Sequence, residues 1–135
     1  MELNQTKLVL RTSSARCHLG RRVEGKLAIG VFDSNDSMVG LLDVLRDYRL
    51  KNEWWIGLML LKPVSRNLGL GTRVHAAFEA YALQQGAKRL LLGVLEENIG
   101  AQRFWLKQGY RVVRNHPPKR YGCRIHACTE YEKAL

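Results

Sequence analysis

Residues 54–86 read WWIGLMLLKPVSRNLGLGTRVHAAFEAYALQQG. Trp54 to Leu61 is an apolar run of strand length. Together with Glu53 it forms a segment expected to be covered on both faces, since it shows almost no polar alternation. Pro63 ends it. A short loop, Ser65 to Gly71, carries Arg66 and two glycines, Gly69 and Gly71. Leu70, Val74, Ala77, Phe78 and Tyr81 then recur at helical spacing, which predicts a helix over 70–85 capped by Gly86. Strand, glycine loop and helix make an anion-binding construction. The first helical turn has free N–H groups at the positive end of the macrodipole, and glycines let an anion approach the backbone closely. A diphosphate is the natural guest. The loop is neither G-x-x-x-x-G-K-[ST] nor G-x-G-x-x-G; it reads Arg66-x-x-Gly69-x-Gly71.

Outward from this centre the pattern alternates. On the N-terminal side, Lys7–Leu10, Lys26–Asp33 and Met38–Leu45 read as strands, the last two as a hairpin around Ser34-Asn35-Asp36-Ser37. Thr12–Glu24 is polar and basic and reads as loop, with room for one helical turn. On the C-terminal side, Leu90–Leu95 reads as a strand, parallel to the central one through a right-handed crossover. Ile99–Gln108 reads as a short helix capped by Gly109. Tyr110–Arg114 is a strand, Asn115–Arg120 a rigid exposed loop, and Cys123–Glu132 an alternating, half-buried last strand. The fold expected is α/β, a mixed twisted sheet of about six to seven strands with flanking helices.

At 135 residues one domain over 1–135 is expected. The longest apolar run is far too short to span a bilayer, and no basic-then-apolar leader is visible, so a cytoplasmic location is expected. Three cysteines without C-x-x-C give no disulfide framework. Cys123, His126 and Cys128 could suggest a metal, but Cys123 and Cys128 fall on opposite faces of an extended strand, so no metal is expected. The formal charge of +10 fits nucleic acid, an acidic substrate or an anionic cofactor. Its basic clusters are not interleaved with aromatics, which does not favour a single-strand nucleic-acid binder.

A second pattern follows the central unit. Residues 98–110 read NIGAQRFWLKQGY. The hexapeptide Arg66-x-x-Gly69-x-Gly71 between a strand and a helix resembles the acetyl-CoA loop of the GNAT family of N-acetyltransferases. Asn98, Ala101, Phe104, Gly109 and Tyr110 fall in register with that family's motif after its fifth strand. The resemblance covers about the C-terminal two-thirds of the chain. It implies a GNAT-like sheet whose fourth and fifth strands splay at the glycine loop, with acetyl-CoA in the notch. By position, the amides of Arg66, Asn67, Leu68, Gly69, Leu70, Gly71 and Thr72 would hold the pyrophosphate. The strand edge at Leu60 and Leu61 would pair with the pantetheine, Asn98 would bond it, and Ala101, Phe104 and Trp105 would line the thioester end. Phe104 and Trp105 read equally as core, and Asn98 equally as a helix cap.

The resemblance implies direct transfer of an acetyl group to a primary amine, from either a small molecule or a protein. The alternative is a non-catalytic acetyl-CoA-binding or nucleic-acid-associated module. The amine must lose a proton, and the developing oxyanion needs a donor such as a backbone N–H. Glu53 is the candidate base, chosen because strict alternation gives it the parity of Met59 and Leu61. Asp43 is its rival and His126 a third candidate. Trp105 stands where the family often has an acidic tyrosine, and an indole is no acid; water, or a tyrosine such as Tyr110 or Tyr121, would have to replace it, unless coenzyme A leaves well enough without an acid. The family's helices between its first two strands are shortened here, because Leu10–Lys26 is too short for them. This leaves the acceptor side open or completed by another subunit, such as the second copy of a homodimer.

Overall fold

The computed structural model describes residues 7–16, 22–63, 69–121 and 124–135. These form one seven-stranded sheet and two helices: β1 (Val9–Arg16), β2 (Arg22–Phe32), β3 (Met38–Leu45), β4 (Glu53–Leu61), α1 (Leu70–Gln84), β5 (Arg89–Leu95), α2 (Ile99–Lys107), β6 (Arg111–Tyr121) and β7 (Arg124–Ala134). The strand order is β1-β2-β3-β4-β5-β7-β6. Only β4 and β5 run parallel, as a strand–helix–strand crossover requires.

Local chemistry sets the corners. Asp33 turns the β2–β3 hairpin by accepting from the amides of Asn35 (2.9 Å) and Ser37 (3.0 Å). Both helices stop in the same way. Gly86 and Gly109 adopt φ of 93° and 96°. Ala87 N–H then reaches back to Ala82 O, as Tyr110 N–H does to Trp105 O. This pair of Schellman turns satisfies carbonyls that the helix itself leaves bare.

Both helices lie on one face of the sheet. Trp54 and Ile56 of β4, Leu90 and Leu92 of β5, and Tyr131 of β7 share a core with Val74, Phe78 and Ala82 of α1. No helix covers the other face among the described residues. There the β3–β4 connection folds across instead. Tyr48 stacks on Trp55 with ring centroids 4.9 Å apart, and Arg49 reaches over to Glu130 of β7 at 2.9 Å.

Three expectations change. Thr12–Arg16 and Arg22–Glu24 are strand, not loop or helical turn. An edge hairpin is held by main-chain pairing and needs no apolar periodicity there. Residues 115–120 belong to β6 rather than to a loop. The strand accommodates Pro117 and Pro118 because β6 is an edge strand and its register shifts between His116 and Lys119. Finally, β7 lies between β5 and β6, so it is buried on both faces around Glu130–Glu132 rather than on one.

The feature that positions the site is a bulge. Val44 pairs with Ile56 and Asp43 with Leu58, leaving Gly57 without a partner on β3. The β4–β5 ladder ends at the same point, since its last pair is Ile56–Leu92. The extra residue reverses side-chain parity. Met59 and Leu61 join Trp54 and Ile56 on the helix side, while Leu58 and Leu60 are exposed. Glu53 is therefore on the opposite face from Met59 and Leu61, contrary to the strict alternation on which its candidacy rested.

Candidate active site

Where β4 and β5 part, the helix side of the sheet holds a cleft of about 740 Å³. Its walls are Met59, Leu60 and Leu61 of β4; Gly69, Gly71 and Thr72 at the start of α1; and Asn98, Gly100, Ala101, Phe104, Trp105 and Lys107 in and before α2. The volume is that of a small-molecule site.

The two glycines of the loop serve different ends. Gly69 is the N-cap of α1 with φ 73°, and no side chain caps the helix. Among the described residues nothing lies within 4 Å of where its Cβ would be, and no side chain among them claims the amides of the helix start. Gly71 is a packing residue. A Cβ there would stand 3.0 Å from Phe104 Cε2 and 3.2 Å from Leu61 Cδ1; its absence lets β4 and α2 close on α1.

Asn98 does both things the sequence allowed. Its Oδ1 accepts from Ala101 N–H at 3.1 Å, capping α2, and the residue also lines the cleft. Trp105 is likewise both wall and core at 8% exposure. It meets Phe104, Tyr110 and His75 edge-on, with centroids 4.9, 5.2 and 5.6 Å away. Behind it His75 Nε2 and Tyr110 Oη share a hydrogen bond of 2.9 Å. Burial lowers the His75 pKa to about 4, against the pull of Glu79. Burial, with Glu79, raises that of Tyr110. Both are neutral and sealed in at neutral pH. Tyr110, 3% exposed and absent from the cleft walls, does not stand in for the missing acid. The side chain of Tyr121 lies outside the described residues.

Of the residues expected at the cofactor, Leu60, Leu61, Gly69, Gly71, Thr72, Asn98, Ala101, Phe104 and Trp105 all line this cleft. Leu70 does not; its side chain is buried in the core. Arg66, Asn67 and Leu68 lie outside the described residues, as does Cys123 of the metal alternative. Met59, Gly100 and Lys107 were missed. Helical geometry offered a signal for two of them, since Gly100 and Lys107 share a face with Phe104.

The carboxylates are less well placed. Glu53 opens β4 in register with Arg89, 6% exposed, and does not line the cleft. Asp43 pairs in register with Leu58, the first residue past the bulge. His126 is engaged by Glu97 at 2.5 Å, away from the cleft walls. Glu130 is 1% exposed between Arg49 (2.9 Å) and Arg114 (2.8 Å). The thiol of Cys128 is raised by burial and by Glu130, so it is not an activated nucleophile.

Uncapped helix start, glycine approach and a strand edge without a neighbour together suit an extended ligand with an anionic end. The chain matches the Acetyltransferase (GNAT) family over residues 8–110. It belongs to that family, and its activity is acetyl-CoA-dependent N-acetyl transfer. No curated protein matches the sequence. Solved structures do match in fold. A spermidine/spermine N-acetyltransferase from Vibrio cholerae superposes with a TM-score of 0.78 at 11% identity, over 95% of this chain and 92% of that one. A Bacillus subtilis acetyltransferase in complex with CoA gives 0.73 at 13% identity, over 96% and 99%. The ribosomal-protein-S18-alanine N-acetyltransferase of Escherichia coli gives 0.70 at 12%, over 93% and 94%. At such identities the likeness speaks for the fold alone.

Proposed function

We propose that the cleft between β4 and β5 holds acetyl-CoA and that residues 1–135 act as one acetyltransferase domain, which transfers the acetyl group directly to a primary amine. The observation that carries this reading is the coincidence of three features at one cleft: the end of the β4–β5 ladder, the uncapped start of α1, and the turn at Asn98. Bound there, acetyl-CoA supplies an activated acetyl thioester. The chain's own part is to hold and orient it. Amides from Gly69 to Thr72 would receive the pyrophosphate at the positive end of α1, with Arg66, Asn67 and Leu68 expected to add theirs. The β5-facing edge of β4 past Ile56 offers backbone groups to the pantetheine in the manner of an added strand. Asn98 orients the arm, and Ala101, Phe104 and Trp105 exclude water around the reacting end. Catalysis here rests on positioning and on backbone donors.

Between the two carboxylates, position favours Asp43 over Glu53 as proton acceptor, because Asp43 lies beside the bulge. Glu53→Gln is then expected to leave the pH–rate profile unchanged. We further infer a cytoplasmic site of action, supported by a cysteine set that builds no disulfide framework. In a calorimetric titration, acetyl-CoA and coenzyme A are expected to bind one-to-one and saturably. Release of free thiol with a panel of primary amines then reads turnover. No binding at millimolar cofactor would sink the proposal.

A further inference from the structure

Behind the wall of the cleft runs a polar chain that the transfer reaction does not use. Lys133 Nζ donates to Glu79 Oε2 at 2.7 Å and to Gln108 O at 2.8 Å. Glu79 Oε2 lies 3.7 Å from Nδ1 of His75, one turn earlier on α1. His75 Nε2 in turn shares its hydrogen bond with Tyr110 Oη, on the residue before β6. Glu79 and Lys133 are partly exposed, while His75 and Tyr110 are buried. A second polar tie joins the same two helices, from Gln108 Nε2 at the end of α2 to Thr72 Oγ1 in the first turn of α1, at 3.1 Å.

Two apolar side chains could fill the place of His75 and Tyr110 without desolvating an imidazole and a hydroxyl. What their hydrogen bond adds is direction, because it fixes the rotation of both rings. Those are the rings on which Trp105 rests. Trp105 stands edge-on to His75 at 77° and to Tyr110 at 74°. His75 and Tyr110 are themselves edge-on at 68°, with centroids 5.4 Å apart. In a close-packed interior, three rings set mutually edge-on form a closed triangle, and none turns without displacing the other two.

The triangle presents one member to the ligand. Trp105 lines the cleft, together with Phe104, which stands edge-on to it at 75°. Neither His75 nor Tyr110 reaches the cleft. The hydrogen-bonded pair can therefore act on a ligand only through the indole.

We propose that His75 and Tyr110 are positioning residues: they lock Trp105 as an unyielding wall at the acyl end of the cleft, and so restrict the cofactor's acyl group to acetyl over longer chains. The inference rests on the cofactor reading above and adds the acyl selectivity of that site.

The test is calorimetric and needs no acceptor amine. Coenzyme A, acetyl-CoA and butyryl-CoA are titrated into the wild type and three variants, and each protein's melting temperature is measured. A wall that yields would bind butyryl-CoA the more tightly, by roughly tenfold for its two further methylene groups. A locked wall reverses the order, so the wild type should bind butyryl-CoA about tenfold more weakly than acetyl-CoA. Tyr110→Phe keeps the ring and removes one oxygen. It should bring the two thioesters within about threefold of each other and lower the melting temperature, because His75 is left unpaired. His75→Leu combined with Tyr110→Phe removes both polar partners. Its melting temperature should recover toward the wild type while the acetyl preference stays lost. His75→Gln, whose amide can still pair with the hydroxyl, should keep the preference. Coenzyme A carries no acyl group and should bind all four proteins alike, whereas a merely structural pair would weaken it along with both thioesters. A wild type that binds acetyl-CoA without preferring it to butyryl-CoA overturns the assignment. An undiminished preference in the double variant does the same. Those two results leave the cofactor reading standing; no binding of coenzyme A by the wild type would sink both.

Discussion

Before Gly57, strand β4 is a core strand; after it, β4 is the wall of a cleft. Glu53 to Ile56 pair with β3 on one side and β5 on the other, and Trp54 and Ile56 are at most 4% exposed. Leu58 to Leu61 keep β3 but have lost β5, and Leu58 and Leu60 are 41% and 47% exposed. Composition does not separate the halves, since both are runs of large apolar residues. What separates them is one inserted residue, which reverses parity and coincides with the end of a ladder. Burial alone, read from hydrophobicity, assigns both halves to the core; only pairing shows that the second has lost its β5 neighbour.

The sharpest way to break the comparison is to unmake the first half. Trp54 is 1% exposed and packs against Phe78 and Tyr81 at 6.3 and 6.2 Å between centroids. Trp54→Ala should cost about 3–5 kcal/mol in chemical denaturation. Leu60→Ala, a similar truncation in the second half, should cost under about 1 kcal/mol because little of that side chain leaves water on folding. Equal costs would mean that the halves are energetically alike.

Next comes a change that should remove the ligand and spare the fold. Gly100 lines the cleft from the first turn of α2, has no positive φ, and has nothing within 4 Å of its Cβ position. Gly100→Trp should fill the cleft and weaken acetyl-CoA binding by roughly a hundredfold or more, about 2.7 kcal/mol. The melting temperature should not fall. Gly71→Glu is a poorer probe, because its Cβ meets Phe104 at once. Unchanged affinity in a folded Gly100→Trp would place the cofactor elsewhere.

Smaller again is the pH dependence of the wall behind Trp105. His75 is neutral in the fold, with its pKa lowered by burial to about 4 from 6.5. Above pH 6.5 both folded and unfolded states carry it neutral, so it makes no difference there. Between 6.5 and 4 the unfolded chain takes up the proton first, and stability should fall by about 2–3 kcal/mol over that window. Denaturation midpoints followed from pH 7 to 4 would show the slope, and His75→Gln should flatten it. A midpoint indifferent to pH in the wild type would mean that His75 is not sealed as described.

How much of this was legible in the sequence depends on what kind of interaction decides each part. Residues 53–61, 70–84, 89–95 and 99–107 were read nearly to their ends, because apolar periodicity and terminal glycines are local signals. Most of the residues lining the cleft came with them, since motif residues sit at fixed offsets on those elements. Three things were hidden because pairing decides them. Polar Thr12–Arg16 is strand through its partner β2. Pro117 and Pro118 sit in a strand because it is an edge. Glu130 is buried because Arg49, on the connection between β3 and β4 and far from it in the chain, arrives beside it. The bulge was hidden for a further reason: nothing in WWIGLMLL marks which residue loses its partner.

The smallest prediction concerns that residue. Gly57 invites the reading that a glycine makes the bulge, yet its φ is not in the left-handed region, where glycine alone is at ease. A Cβ there would find Asp43 O at 3.6 Å and Trp55 Cδ1 at 4.0 Å, ordinary contact distances. Gly57→Ala should therefore fold with stability changed by no more than about 0.5 kcal/mol. Acetyl-CoA binding on the opposite face of β4 should be unaffected. If that holds, the bulge is imposed by the sheet: β3 keeps its pairing with β4 on both sides of Gly57, while β5 leaves β4 after Leu92 and keeps β7 throughout, and β4 takes up the extra residue where the two demands meet. A loss of 2 kcal/mol or more would instead show that the glycine itself sets the boundary between the core half of β4 and the half that faces the cleft.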